Sequence, residues 1–220
     1  MGLTSYKREL GSCIETYRVG PVGVSRMRPY EIPGPDGQPG SRRDQLLAEA
    51  ARLFAARGFR GVGIDDIGAA AGISGPGIYR HFASKQEILA ALLVGISQYL
   101  HDGGEALMER FRGNSLLDQL IAFHLDFSLT YRDLIVLHDR DLDSLEPASR
   151  EEVRRLQRAY VTTWVEALQD ACPGMEDKEA RLRAHACFGL LNSTPHLNTA
   201  ALGLAARDVL AAMARAALHA

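Results

Sequence analysis

The side chains best suited to bind a phosphate group lie close together between positions 79 and 85. Tyr79 carries a phenol, His81 an imidazole and Lys85 an ammonium group. Each of these groups can donate a hydrogen bond to a phosphate oxygen without reading a base. Arg80 lies among them and is a candidate for contacting the bases. This stretch can therefore bind phosphate groups, and the helices predicted around it indicate which molecule carries them.

Two short predicted helices must hold these side chains in place. Residues 65–82 read DDIGAAAGISGPGIYRHF, in which a tight turn at Gly72 separates one helix from the next. The second helix of such a helix-turn-helix unit fits the major groove of DNA, which is about 12 Å wide. The apolar residues spaced to pack both helices on the helix before them are Ile67, Ala71, Ile73 and Ile78.

Capping residues predict where the helices around this unit begin and end. Ser41 is a good N-cap for a helix that reaches about Arg57. Ser84 caps a longer helix, with Glu87 at the capping-box position, that continues to about His101 or beyond. The predicted helices of this region are 42–57, 64–71, 75–82 and 85–101 or longer.

The remaining chain predicts more helices and no strand. No stretch alternates apolar and polar residues for long enough to form a strand. We therefore predict an all-α fold of about nine helices, in which a three-helix helix-turn-helix domain precedes a larger helical domain. The later predicted helices are 116–131, 132–141, 148–171, 177–192 and 197–218.

The domain organisation follows from composition. Residues 1–40 alternate proline with glycine, which breaks helices and strands alike, so we predict a disordered N-terminal arm. Whether this arm is functional or an untidy tail stays open. The DNA-binding domain is predicted at 41–88, and a ligand-binding and dimerisation domain at 89–220.

Bulk properties exclude several classes of protein. The net charge is only −2, although basic residues are in slight excess in 41–88 and acidic residues in 89–220, which suits a molecule that presents one end to phosphates. Three cysteines without a Cys-x-x-Cys pair, and no apolar run of about 18–20 residues, predict a cytoplasmic protein with no membrane partner. The sequence predicts neither a metal site nor a cofactor.

The wider stretch resembles the N-terminal domain of the TetR/AcrR family of regulators. Three segments carry the resemblance: RRDQLLAEAARLFAARGF, DDIGAAAGIS and IYRHFASKQEIL. The resemblance implies a homodimer of TetR-type protomers that binds a double-stranded DNA operator and is released by a small-molecule effector. The matching positions are Arg43, Phe54, Gly58, Phe59, Ile67, Ala71, Gly72, Ser74, Tyr79, His81, Phe82, Lys85 and Leu89.

The resemblance also implies a set of DNA contacts, with some departures. The family often has a threonine near Gly63, an alanine at Gly68, and a lysine and a threonine where this chain reads Gly75-Pro76-Gly77. These last three residues offer the bases no hydrogen-bonding side chain. We therefore expect few direct contacts to bases and a larger contribution from recognition of DNA shape. The predicted DNA-binding residues are Arg42, Arg43, Ser74, Gly75, Pro76, Tyr79, Arg80, His81 and Lys85.

Aromatic stripes on two later helices predict either a filled core or a ligand cavity. One stripe contains Phe123, Phe127 and Tyr131 with His124 at its edge, and both readings of it stay open. The other contains Tyr160 and Trp164 beside Leu156 and Leu168, and His138 lies on the helix between the two. The candidate ligand-binding residues are Phe123, His124, Phe127, Tyr131, His138, Tyr160 and Trp164.

The chemistry of the effector rests on a narrower resemblance. The segments RRLQRAYVTTWVEAL and HACFGLLNSTPH are similar to actinobacterial regulators of acyl-CoA and lipid catabolism. This resemblance implies an acyl-CoA or a fatty-acid-like effector. The arginines at 150, 154, 155 and 158 are either a solvated face paired with Glu151 and Glu152 or a seat for an anionic group.

Small and apolar residues on the last two predicted helices indicate the dimer interface. Gly189, Val209 and Met213 are among them, and such residues suit close packing in a four-helix bundle between two subunits. One alternative is an all-helical enzyme, but the chain has no Glu-x-x-His and no Gly-x-Ser-x-Gly. The other is a helical ligand-binding or interaction protein whose DNA reader has decayed, for which Gly75-Pro76-Gly77 is the support.

Overall fold

The computed structural model describes residues 41–197 and 204–219. The predicted arm at residues 1–40 lies outside the described residues. Within the described part the chain forms nine α-helices and no strand, which confirms the all-α prediction. The helices are α1 (Arg42–Arg57), α2 (Ile64–Ala70), α3 (Gly75–Ile78), α4 (Lys85–Arg110), α5 (Gly113–Thr130), α6 (Arg132–Asp141), α7 (Pro147–Ala171), α8 (Asp177–Leu191) and α9 (Leu204–His219).

The capping residues begin α1 and α4 as predicted. The Ser41 hydroxyl accepts the backbone N–H of Asp44 at 3.2 Å, and the Asp44 carboxylate accepts the N–H of Ser41 at 3.2 Å. At α4 the Ser84 hydroxyl accepts the N–H of Glu87 at 3.1 Å. These side chains bond amide groups that have no partner inside the first turn, so the helix start is fixed by local sequence.

The prediction for the end of α3 is wrong, because the α-helix stops at Ile78 and not near Phe82. The amides of Arg80 and His81 bond the carbonyls three residues back, at 3.4 and 2.8 Å. Such i to i−3 bonding is the tighter pattern of a 3-10 turn, and it is common where an α-helix ends.

The prediction for the start of the last helix is also wrong at Leu197. A single 3-10 turn spans Thr194–His196, and Leu197 after it has extended backbone. The guanidinium of Arg132 donates to the carbonyl oxygens of Pro195 and Leu197, at 3.2 and 2.8 Å. These bonds fix the segment from Pro195 to Leu197 beside the start of α6, in a conformation that does not continue as an α-helix.

Two hydrophobic clusters divide the described residues. The first joins α1–α4 to α6 and to one end each of α5 and α7, through residues such as Phe54, Leu89 and Leu137. The second joins the far half of α4 to α5, α7, α8 and α9, around the fully buried Trp164 and Phe123. The predicted domain boundary at 88/89 falls inside α4, which runs unbroken from one cluster to the other.

None of the described helices is long and apolar enough to cross a lipid bilayer.

Candidate DNA-binding surface and ligand cavity

Two glycines stand where the family that this sequence resembles often has another residue, and the structure of α2 and α3 accounts for both. A Cβ atom at Gly68 would lie 2.7 Å from the carbonyl oxygen of Ile73 and 2.8 Å from Cδ1 of Ile78. Glycine at this position therefore allows α3 to approach α2 closely. At Gly63 the start of α2 needs no threonine, because the Asp66 carboxylate accepts the Gly63 N–H at 2.7 Å.

We call Ser74–Phe82, which contains α3, its N-cap and the turn after it, the α3 segment; several predicted DNA-binding residues are exposed on it. Tyr79 is 57% exposed, and Ser74, Pro76 and Arg80 are exposed as well. Ser74 is the N-cap of α3, yet its hydroxyl makes no capping hydrogen bond. Gly75 opens the helix and offers only its backbone. The phenol, the hydroxyl and the guanidinium that this exposed segment carries are suited to bind phosphates and base edges.

The arginines at the start of α1 lie near the same surface. The Arg43 guanidinium lies 4.7 Å from the centre of the buried Phe82 ring, so the beginning of α1 is held against the end of the α3 segment. Arg42 is exposed and donates to the side chain of Gln45 at 2.7 Å. His81 is half-buried.

Lys85 has a structural task in this arrangement. Its ammonium group donates to the carbonyl oxygens of Phe59 and Val62, at 3.0 and 2.7 Å, and lies 4.5 Å from the centre of the Phe59 ring. The lysine thereby ties the loop between α1 and α2 to the start of α4. An ammonium group has three donors, and phosphate contact by the third stays a prediction.

α6 is fastened to the DNA-binding helices by a charged pair at its C-terminal end. The Asp141 carboxylate accepts the backbone N–H of Phe59 at 3.3 Å and the Nε–H of Arg140 at 3.0 Å. Arg140 also donates to the carbonyl oxygens of Ala55 and Phe54, at the end of α1. We call this pair the α6 latch, because it joins α6 to segments about 85 residues earlier in the chain.

A cavity of about 90 Å³ lies between α4, α5, α6, α7 and the end of α8. Its apolar lining comes from Ile96, Leu100, Phe127, Leu134 and Ile135. Its polar lining comes from Ser97, His138, Asp139, Gln157, Tyr160 and Asn192. Binding sites for drug-sized molecules usually enclose about 300–1,000 Å³, so an effector of that size requires the helices around this cavity to move apart.

His124 stands behind this cavity, fully buried and not at the edge of its stripe as predicted. Its Nε2 lies 3.0 Å from the amide oxygen of Asn192, and its Nδ1 lies 3.4 Å from the hydroxyl of Tyr160. An amide oxygen only accepts, so the Nε2–H of the neutral ring donates to Asn192. Burial lowers the pKa of His124 to about 4, opposed by the bond to Asn192, and the ring is neutral at pH 7.

The predicted ligand-binding residues divide into two groups. Phe127, His138 and Tyr160 line the cavity. Phe123, Tyr131 and Trp164 do not; these three rings pack inside the hydrophobic clusters, and Phe123 sits where a Cβ at Gly103 would collide with its ring.

Three polar or aromatic residues of this region were missed by sequence reasoning. Asn192 bonds His124 from 68 positions away, Gln157 bonds His138 at 2.6 Å, and Phe188 stacks on His124 with ring centres 5.1 Å apart. Helical periodicity reads one helix at a time, so it does not pair residues of α8 with residues of α5.

The arginines of α7 are paired with nearby carboxylates. Arg155 bonds Glu152 at 2.7 Å, Arg158 bonds Glu151 at 2.7 Å, and the other two, at 150 and 154, share Asp143 at 3.7 and 3.9 Å. This arrangement favours the solvated face among the two alternatives for this stretch.

One face of α8 and α9 exposes apolar residues. Leu182 is 70%, Val209 56% and Met213 51% exposed. The smaller residues Ala186, Gly189, Ala212 and Ala216 are exposed at helical spacing beside them. Large apolar side chains rarely stay in water when they lie together, so this face is a candidate interface.

Comparisons with known proteins agree with this architecture. The model of bacterial regulatory proteins of the tetR family matches residues 46–92, and that of the tetracyclin repressor-like C-terminal domain matches residues 115–219. The HTH-type transcriptional repressor KstR2 of Mycobacterium tuberculosis is 47% identical over 64 residues, which are 29% of this chain and 32% of that protein. The sequence match thus spans about a third of that curated relative.

Solved structures extend the likeness over most of the chain. A TetR-family transcriptional regulator from Bordetella parapertussis has a TM-score of 0.72 and 25% identity, over 79% of this chain and 92% of that one. AibR in complex with isovaleryl coenzyme A and operator DNA has a TM-score of 0.61 at 17% identity, over 71% and 87%, and shares the fold. The two family models together cover more than half of the sequence, and the N-terminal model matches before the C-terminal one along the chain. The chain therefore belongs to the TetR family, whose members are transcription regulators and not enzymes.

Proposed function

We propose that this protein is a DNA-binding transcriptional repressor that binds a palindromic operator as a homodimer and leaves it when a small molecule binds. The observation that carries the proposal is the outer face of the α3 segment. Tyr79 and Arg80 are exposed there, while Ile78 and Phe82 of the same segment are buried in the core. A segment that buries its apolar residues in the core and exposes its hydrogen-bonding residues is suited to bind in the major groove. Such a repressor acts on DNA in the cytoplasm.

The exposed apolar face of α8 and α9 supports the homodimer. Two copies that pack these faces together form a four-helix bundle, and the two-fold axis relates their DNA readers. A symmetric pair of readers matches a palindromic operator. In analytical ultracentrifugation, Met213→Glu is expected to give monomers because it places a charge in this interface; Lys178→Glu, exposed near the start of α8, is the control.

α6 supports release by a ligand. Leu134, Ile135 and His138 of this helix line the cavity, and Arg140 and Asp141 at its end hold α1 and Phe59. A molecule that enlarges the cavity must displace these helices, and the α6 latch passes the displacement to the DNA-binding helices. The effector we propose is an acyl-CoA or a fatty-acid-like molecule, in line with the resemblance of α7 and α8 and with a likeness of fold to AibR.

DNA binding is tested by fluorescence anisotropy with fragments from around the protein's own gene, at several salt concentrations. The wild type is expected to bind one palindromic fragment at least about a thousandfold more tightly than random DNA. Tyr79→Ala is expected to weaken binding to all fragments, because a phosphate contact carries no sequence information. Arg80→Ala is expected to weaken binding to the palindrome more than to random DNA, as a base contact requires.

Arg155→Ala is the matched control, since Arg155 is an exposed arginine on α7. It is expected to bind the palindrome like the wild type. A dimer that ignores all genomic fragments at every salt concentration would show the alternative to be right, namely an interaction protein with a decayed reader. Equal losses in Arg80→Ala and Arg155→Ala would remove Arg80 from the DNA-binding residues.

A further inference from the structure

The charges of the residues that line the cavity described above limit what it can bind, and the inference drawn from them rests on the proposed role of the cavity as the effector site. Neither lysine nor arginine is among its lining residues. Its titratable groups are His138, Asp139 and Tyr160. Asp139 is exposed and lies 3.3 Å from Nδ1 of His138, so the only full negative charge stands where the cavity meets solvent.

The opening of the cavity therefore has no cationic side chain that could bind an anion. His138 is engaged on both ring nitrogens, by Asp139 on one side and by the amide of Gln157 on the other. A carboxylate that enters here meets a carboxylate first and finds no cation behind it. Moving an unpaired carboxylate into an apolar site is very costly.

The inner end of the cavity offers neutral hydrogen-bonding groups. Asn192 uses its amide oxygen to accept from Nε2 of His124, which leaves the amide N–H groups as donors. Nδ1 of His124 then accepts from the hydroxyl of Tyr160. In this network the amide N–H groups of Asn192 are the donors left for the cavity, the Tyr160 oxygen can only accept, and no group carries a charge.

We infer that the buried end of the effector is an uncharged hydrogen-bond acceptor that Asn192 binds, such as the carbonyl of a thioester, an ester or a ketone, and not a free carboxylate. The apolar lining takes the carbon chain next to this oxygen. The cavity of about 90 Å³ is smaller than the roughly 150 Å³ that holds a benzene ring, so it admits a short or branched chain before any helix moves. For the buried end of the effector, this favours the carbonyl of an acyl thioester over the carboxylate of a free fatty acid; the charged groups of a coenzyme A would have to stay in solvent outside this cavity, away from Asp139.

The test measures binding of small probes to the full-length protein by isothermal titration calorimetry, without DNA. The probes are methyl ketones, methyl esters and carboxylates with the same chains of about two to four carbons, which are smaller than the benzene that a cavity of roughly 150 Å³ holds. At pH 7 the ketones and esters are expected to bind at least about tenfold more tightly than the carboxylates, a difference of about 1.4 kcal/mol. Equal or tighter binding of the carboxylates overturns the inference.

A second measurement needs no variant. Between pH 7 and pH 5 the carboxylates become partly protonated, so their binding is expected to strengthen while that of the ketones stays constant. Parallel behaviour of both series contradicts the inference.

Asn192→Leu is expected to remove the advantage of the ketones, and Asn114→Leu, an exposed asparagine on α5, is expected to keep it. Because Asn192→Leu also leaves Nε2 of His124 without a partner, Asn192→Asp serves as a second variant of nearly the same shape. It is expected to weaken the ketones as well, since a carboxylate has no N–H to donate.

The outcomes separate this inference from the proposed function. Failure of all probes to bind, with specific operator binding intact, overturns the inference about the cavity and leaves the regulator standing. Binding of ketones by a protein that ignores all genomic DNA supports the inference and removes the regulator.

Discussion

Two polar contacts, one at each hydrophobic cluster, differ in charge and in burial. At the first cluster Lys85 and Arg140 each bond backbone carbonyls of another segment, and the Arg140 side chain keeps 42% of its surface in water, although its partner Asp141 is buried. At the second cluster His124 and Tyr160 are neutral and almost fully buried; they bond each other, and His124 also bonds Asn192.

The difference indicates which of the two contacts can break and re-form at low cost. When a partly exposed guanidinium leaves a carbonyl, water replaces the bond at small cost, whereas a buried group that loses its partner stays unsatisfied and costs about 1–3 kcal/mol. The charged contacts around the first cluster therefore suit a joint between α6 and the DNA-binding helices. The buried network suits a rigid seat that distinguishes one ligand from another.

The largest effect is expected from Trp164→Ala in the second cluster. The Trp164 ring is fully buried and lies 5.0 Å from Phe188 and 6.2 Å from Tyr160, between ring centres. Removing it leaves a cavity that costs about 3–5 kcal/mol. Urea denaturation measures the loss, and Tyr79→Ala is the control, since an exposed side chain should change stability by less than about 0.5 kcal/mol.

The next effect is a pH dependence that belongs to the second cluster alone. The unfolded chain protonates His124 near pH 6.5, but the folded protein resists protonation until about pH 4. Between these values the unfolded state binds more protons, so the free energy of unfolding falls as the pH falls, by up to about 3 kcal/mol.

Comparing urea denaturation of the wild type with that of His124→Gln isolates this contribution. As the pH drops from 6.5 to 4, the free energy of unfolding of the wild type should fall more than that of His124→Gln. His196→Gln, an exposed histidine, should keep the slope of the wild type. Identical slopes for the wild type and His124→Gln would show that His124 is not buried as a neutral ring.

Local sequence was sufficient to predict most of the helices. α1 begins after the Ser41 cap and ends at Gly58, and α6 spans 132–141 as predicted, because caps and glycines act on neighbouring residues. The extended backbone at Leu197 was not predictable in this way. The backbone at Leu197 is fixed by Arg132, 65 positions earlier, and no local signal records that bond.

The same limit applies to the candidate sites. The exposed reader residues could be named because the helix-turn-helix pattern occurs within 18 residues of sequence. The α6 latch and the partner of His124 come from contacts between distant segments. Phe123 and Trp164 were grouped with the cavity because aromatic spacing alone does not distinguish a lining residue from a core residue.

A smaller effect is expected from Arg140→Ala, which opens the joint at the first cluster. The variant loses the bonds to Ala55, Phe54 and Asp141, and partial exposure of the guanidinium limits the cost to about 1.5 kcal/mol. Operator affinity is expected to fall several-fold, because α1 is no longer held against α6. Anisotropy measures the affinity, and a variant with wild-type affinity would leave the latch without a part in DNA binding.

The smallest effect on stability concerns two serines that both begin helices. Ser84 caps α4 by accepting the N–H of Glu87, so Ser84→Ala is expected to cost about 1 kcal/mol. Ser74 begins α3 without any capping bond, so Ser74→Ala should leave the urea midpoint within about 0.5 kcal/mol of the wild type. The expected order reverses for DNA: Ser74→Ala weakens operator binding, and Ser84→Ala does not. Because the exposed Ser74 hydroxyl makes no capping bond, it is available to the operator in the proposed function. An unchanged affinity in Ser74→Ala would leave Arg80 as the proposed base-reading residue of the α3 segment.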